Sequence, residues 1–159
     1  MRHYCLSEQT AQRISSSDNS YVNNTSLVTV IKYSGYVFAV LGDIETVGLQ
    51  ELLKQEPGLG LEILFGVDFL VASHHGHPSG FAAEWFGLSG PTRVFNIVSE
   101  RRRRPGEAAT STRVDSRYST AACSAAGNRE GRRTVSTKQD GDIEVTIFDN
   151  GRWVWTKSR

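Results

Sequence analysis

Val67-Asp-Phe-Leu-Val-Ala-Ser-His-His-Gly-His-Pro-Ser-Gly80 is the stretch on which the fold turns. Phe69 to Ser73 is a short apolar run with β-branched Val71, opening just after Gly66, and that pattern predicts a buried strand. Three histidines, His74, His75 and His77, stand at its end, and Pro78 and Gly80 follow at once. A strand fixes the backbone at its mouth while the turn beyond leaves the imidazole rings exposed, an arrangement suited to metal binding. Upstream, Tyr36-Val-Phe-Ala-Val-Leu-Gly-Asp43 has the same form: an apolar run that ends in a carboxylate after glycine.

Between the two runs, Val47, Leu49, Leu52 and Leu53 fall at helical spacing over Ile44–Gln55, with Glu45, Glu51 and Lys54 on the other face. Pro57-Gly58 ends that helix. Asp43 and His74 are therefore 31 positions apart (74 − 43), each at a strand end with one helix between them. In a strand–helix–strand unit with a right-handed crossover both ends emerge on one edge of the sheet. Bland readings stand beside this one. Aspartate at that position also suits a helix N-cap, and a histidine ending a strand often bonds only to backbone. Adjacent side chains on a strand point to opposite faces, so one of His74 and His75 would face a shared ion unless the turn has already begun.

Working outward, Leu27–Tyr33 is rich in β-branched residues and Ser34-Gly35 turns it back, so 26–42 reads as a β-hairpin. Residues 79–88, with Phe81, Trp85 and Phe86, read as a helix, and Thr92–Ser99 as a third strand. Residues 100–131 lack a period and read as a long basic surface loop with a short helix near Tyr118–Ala122. Arg133–Thr137, Ile143–Phe148 and Trp153–Thr156 close the chain as a terminal β-meander, with turns at Gln139-Asp-Gly141 and Asp149-Asn-Gly151. Trp153 and Trp155 fall on the same side of the last strand, which predicts core packing. The class is α/β with a mixed sheet and flanking helices. Residues 1–22 carry no period and read as a flexible N-terminal segment ahead of a domain over 23–159.

With 18 basic and 17 acidic residues the formal charge is +1, so no global field points to nucleic acid or a membrane surface. Arginines nonetheless concentrate over residues 93–133, and the Arg101–Arg104 run reads first as solvated surface, second as a contact for nucleic acid or an acidic partner. Cys5 and Cys123 are far apart without CxxC spacing, which indicates neither a disulfide framework nor a zinc knuckle. No apolar stretch approaches the roughly 20 residues of a membrane span, and residues 1–20 lack the apolar core of a secretory signal. The expectation is a cytoplasmic protein.

Five elements occur in order: Asn23-Asn-Thr-Ser-Leu-Val28, Leu41-Gly-Asp43, Val67 to Gly76 with its Ser-His-His-Gly ending, Val94-Phe-Asn-Ile-Val-Ser99, and Thr137-Lys-Gln-Asp-Gly-Asp-Ile143. Together they resemble the C-terminal half of a metallo-β-lactamase-fold hydrolase, nearest the hydrolase domain of DNA-uptake competence channel proteins. The resemblance covers about residues 22–148. It implies half of an αββα sandwich, with Asp43 as the metal-bridging carboxylate and one histidine of the His74–His75 pair, His74 by position, as a ligand of Zn²⁺ or Mn²⁺. Asp43 and His74 would be the catalytic residues. His77 sits where serine is common in such domains, which makes it an extra ligand or an exposed side chain. Asp115, Ser116 and Tyr118 would belong to a variant substrate-facing loop, since the Gly-His-Pro segment expected after the third strand is replaced here by Ser99-Glu-Arg-Arg-Arg-Arg-Pro105.

The family's HxHxDH motif is absent, and the 42 residues before Asp43 hold one histidine, His3. Three functions are consistent with that. The chain is one half of a metal-dependent ester or phosphodiester hydrolase, completed by a separate polypeptide and inactive alone. Or it is a remnant without activity, or a binding module acting through the basic region. A missing half would also leave one face of the sheet uncovered, an apolar patch larger than a soluble monomer normally exposes.

Overall fold

The computed structural model describes residues 1–64, 66–86, 94–100, 114, 116–121 and 134–158. Strands β1 (Arg2–Tyr4), β2 (Val28–Tyr33), β3 (Tyr36–Val40), β4 (Phe69–Val71), β5 (Phe95–Val98) and β6 (Thr134–Ser136) form a mixed six-stranded sheet in that order. β1, β2 and β3 pair antiparallel; β3, β4, β5 and β6 are parallel. The predicted hairpin is β2–β3, and its Ser34-Gly35 turn places both residues at positive φ. Strands β7 (Ile143–Ile147) and β8 (Trp153–Lys157) form a separate antiparallel hairpin.

The sheet buries both faces, because alternate residues of each strand meet different partners. Ala39, Leu70 and Val98 pack with Leu49, Leu52, Leu59 and Trp85 in the larger core. The helices of that face are α1 (Glu8–Ile14), α2 (Asp18–Asn24), α3 (Thr46–Gln55) and α4 (Pro57–Glu62), the first turn of which Pro57 opens. Leu49 and Leu52 are fully buried, each contributing about 1.5–3 kcal/mol of transfer free energy. On the other face Phe69, Phe95 and Val135 meet Trp153, Trp155, Ile143, Val145 and Ile147 of the hairpin. The Trp153 ring stands edge-on to Phe69 at 4.9 Å and the Trp155 ring lies 5.5 Å from Phe95. The two tryptophans are half-buried and pack side by side against the sheet, on the one face that their alternation predicts.

Several expectations are corrected. Residues 1–22 are ordered: Ser7 caps α1 and Ser17 caps α2 through their side chains, and β1 adds to the hairpin edge. Short capped helices of this kind leave no long apolar period to read. The expected uncovered face is packed by β7–β8; among the described residues the large exposed apolar side chains include Val40, Val154 and Phe148. The closing meander is a two-stranded hairpin, because β6 joins the main sheet and α6 (Thr137–Asp140), capped by Ser136, fills the next turn. The helix over 79–88 is replaced by two short 3₁₀ turns, Pro78–Gly80 and Ala83–Phe86. The Thr46 hydroxyl lies 2.7 Å from the carbonyl oxygens of both Ser79 and Phe81 and shares its single proton between them, where a helix would have supplied N–H groups. The short helix near Tyr118 is present as α5 (Ser116–Ala121). Most of the basic loop, including Arg101–Arg104, Asp115 and Cys123, lies outside the described residues.

Candidate metal centre

The parallel strands β3, β4 and β5 end on one edge, and Gly42-Asp43, Ser73–Gly76 and Ser99 follow them there. Gly42 has φ +62° and a Cβ on it would lie 3.0 Å from the Ser26 Cβ, so only glycine fits. The Asp43 N–H donates to Ser26 Oγ at 3.1 Å and the Glu45 N–H to Asn24 Oδ1 at 3.0 Å. The Glu45 carboxylate accepts from Ser20 Oγ and, at 3.3 Å, from Asn23 Nδ2. The Asn-Asn-Thr-Ser segment thus serves as the clamp of the Asp43 loop. Glu45, not Asp43, occupies the N-cap of α3, without a side-chain cap bond; the N-cap reading of Asp43 falls away.

The histidine loop is knitted to the same place. The His74 N–H donates to the Gly42 carbonyl at 3.0 Å, and Ser73 Oγ donates to the Ile44 carbonyl. His74, His75 and Gly76 are all left-handed, at φ +48°, +55° and +76°. That conformation costs a non-glycine residue roughly 1–2 kcal/mol, and such strain concentrates at functional sites. The turn has begun at His74, so the two rings are no longer bound to opposite faces. Gly80 closes on this loop: a Cβ there would sit 2.8 Å from the Ser73 carbonyl oxygen.

His75 is the ring set against Asp43. Its Nδ1 lies 2.6 Å from the Ser99 carbonyl oxygen and its Nε2 lies 3.5 Å from Asp43 Oδ1, with both side chains about half exposed. His74 turns instead toward Ser79, Nδ1 to Oγ at 3.0 Å, and His77 reaches the same oxygen at 2.8 Å. Burial pushes the His74 imidazole below its usual value and neighbouring His77 adds to the shift, while Asp43 and Glu45 oppose it.

A carbonyl oxygen can only accept, so Nδ1 of His75 carries a proton. In the neutral ring Nε2 is then a bare lone pair facing a carboxylate oxygen. Two acceptors face each other, and a cation between them, a metal ion or a proton, would satisfy both. Two ligands of a tetrahedral zinc at ~2.1 Å lie about 3.4 Å apart, close to the 3.5 Å seen here. An Nδ1–H bonded to backbone carbonyl is also the usual way a protein orients a metal-binding imidazole. The donor chemistry suits a metal, but the number does not complete a site: catalytic zinc takes three protein ligands. Among the described residues no group of three or more His, Cys, Asp or Glu side chains is placed to hold an ion.

The remaining candidates separate. Tyr118 is buried: its hydroxyl donates to the Gly80 carbonyl at 3.1 Å and its ring packs edge-on to Phe81. It is a core side chain under the histidine loop and does not face a substrate. Ser116 is exposed at the start of α5. His3, on edge strand β1, pairs its Nδ1 with Thr29 Oγ1. Residue spacing carries no sign of Ser26, Asn24, Glu45 or Ser79 as parts of the site; the one available signal is the Asn-Asn-Thr-Ser segment itself. Comparison with family models, with curated proteins and with solved structures finds no match to this chain.

Proposed function

We propose that this chain is the C-terminal half of a metal-dependent hydrolase of the metallo-β-lactamase type, giving Asp43 and a histidine to a Zn²⁺ or Mn²⁺ centre that a second polypeptide completes. The observation that carries the reading is the pair of acceptors, Asp43 Oδ1 and His75 Nε2, held 3.5 Å apart on one edge with Nδ1 of His75 tied to Ser99. His75 is the ligand this geometry favours, with His74 behind it. The layering supports the reading as well: helices, a six-stranded sheet and a hairpin are stacked face to face, the order that one half of an αββα sandwich with the start of its second sheet would have.

When bound, such ions lower the pKa of their water to about 7 and direct it at an ester or phosphodiester. With two donors on this chain the ion would be held weakly and its water without the precision catalysis requires. The chain alone, with Zn²⁺ or Mn²⁺ added, is therefore expected to give no turnover of a chromogenic phosphodiester. Mixing it with a polypeptide that carries HxHxDH is expected to produce turnover, and Asp43→Ala or His75→Ala to abolish it. Robust metal-dependent hydrolysis by the chain alone, or turnover in the mixture that survives Asp43→Ala, would overturn the reading.

A further inference from the structure

Ser79 stands between two histidine rings. Its Oγ lies 3.0 Å from His74 Nδ1 and 2.8 Å from His77 Nδ1, and its backbone N–H donates to His77 Nδ1 at 3.3 Å. A backbone N–H has one role, so His77 Nδ1 is a lone pair and the proton of the neutral ring sits on Nε2. With no proton at that nitrogen, the 2.8 Å contact requires the Ser79 hydroxyl to donate. A serine hydroxyl has one proton, so toward His74 its oxygen can only accept. His74 therefore donates from Nδ1 and keeps its lone pair at Nε2. One hydroxyl sets two rings, with centroids 5.0 Å apart, in opposite tautomers.

We infer that Ser79 is a positioning residue that makes His74 and His77 a matched pair, His74 presenting a bare lone pair at Nε2 and His77 Nε2–H donating to an oxyanion of the substrate. Asp43 and Glu45 act on His74 from the α3 side. On the His77 side, Arg117 donates to the Pro78 carbonyl at 3.0 Å and lies 4.5 Å over the Phe81 ring, which fixes a cation beside that turn. The substrate role of His77 rests on the hydrolase reading; the tautomer assignment does not.

The test uses the whole chain, freed of metal by a chelator and labelled with ¹⁵N at histidine. Long-range ¹H–¹⁵N spectra at mildly alkaline pH distinguish protonated from bare ring nitrogens directly. The expected result is a proton on Nδ1 of His74 and on Nε2 of His77. In Ser79→Ala, His77 keeps its tautomer because the backbone N–H still holds it, whereas His74 loses its acceptor and becomes a mixture. Ser79→Thr restores the original pattern. Inorganic phosphate is expected to shift the His77 Nε2 resonance, and no bound-state shift remains anywhere in the loop in His77→Gln. The same tautomer at both rings of the unaltered chain, or an unchanged His74 in Ser79→Ala, overturns the positioning role. Correct tautomers with no response of His77 to phosphate overturn its role as anion donor. None of these readings depends on turnover, so failure of the hydrolase proposal remains a separate result.

Discussion

The two loops that meet at the candidate site are held by opposite means. The Asp43 loop is clamped from outside: Ser26, Asn24, Asn23 and Ser20 reach over from α2 and its exit and bond its N–H groups and the Glu45 carboxylate. Only Gly42 there has an unusual backbone conformation. The histidine loop, by contrast, holds three successive left-handed residues; its rings bond to Ser79 and Ser99, while its Ser73 hydroxyl and His74 N–H bond to carbonyls of the Asp43 loop. The first loop is a relaxed segment fixed by a buried polar clamp. The second stores strain, with the His75 ring exposed and the His74 and His77 rings half-buried. A site made this way has a carboxylate on a clamped backbone and imidazoles whose placement is set by the backbone of a single turn.

The sharpest break of that contrast is at Asn24, which is fully buried and uses both ends of its amide. Oδ1 accepts from the Glu45 N–H, and Nδ2 donates to Ser15 Oγ at 3.0 Å. Asn24→Ala leaves the Glu45 N–H without its partner and removes the amide's bond to Ser15, whose hydroxyl keeps its bond to the Ala11 carbonyl, and the expected loss is about 2 kcal/mol. Urea midpoints measure it. A loss smaller than that caused by His75→Ala would mean that the clamp does not carry the Asp43 loop.

Strain gives a smaller effect with a distinctive sign. Glycine in place of alanine normally destabilises an ordered segment, but at φ +55° the left-handed backbone reverses the preference. His75→Gly and His75→Ala both remove the ring, its bond to Ser99 and its approach to Asp43, so their difference isolates the backbone. His75→Gly is expected to be the more stable of the two by about 1 kcal/mol. Equal stabilities, or alanine the better, would show that the histidine loop is not strained in solution.

The same contrast explains what the sequence made legible. The two apolar runs, the hairpin and the amphipathic α3 follow from period and turn residues, and they place Asp43 and the histidines on one edge. The partner of Asp43 does not follow from them. Strand alternation gives each histidine a face, but the left-handed turn at His74 and His75 overrides it and brings His75, rather than His74, to the carboxylate. Tyr118 looked like a loop residue because nothing in its short helix has a period; its burial depends on Phe81 and Gly80, far away in sequence. The hairpin was legible, but not that its tryptophans would cover the sheet, since face-to-face packing leaves no mark on local spacing.

The smallest effect concerns protons at the histidine loop. Burial holds His74 below its ordinary value of 6.5, His77 adds to this, and Asp43 and Glu45 pull the other way. The unfolded chain therefore binds that proton more readily than the folded one. The stability gained by keeping His74 neutral is full above the ordinary value and is lost as pH falls through the lowered folded value. The ring is partly exposed, so solvent moderates the effect. In chelator-treated protein, His74→Asn should flatten the acid-side fall of stability while the curve above neutrality keeps its shape, since asparagine tolerates the left-handed backbone. The slope and not the absolute stability is the measure, because the substitution also removes the bond to Ser79. An unchanged slope would assign the acid sensitivity to other groups and leave the histidine loop as a strained turn without a proton-linked contribution.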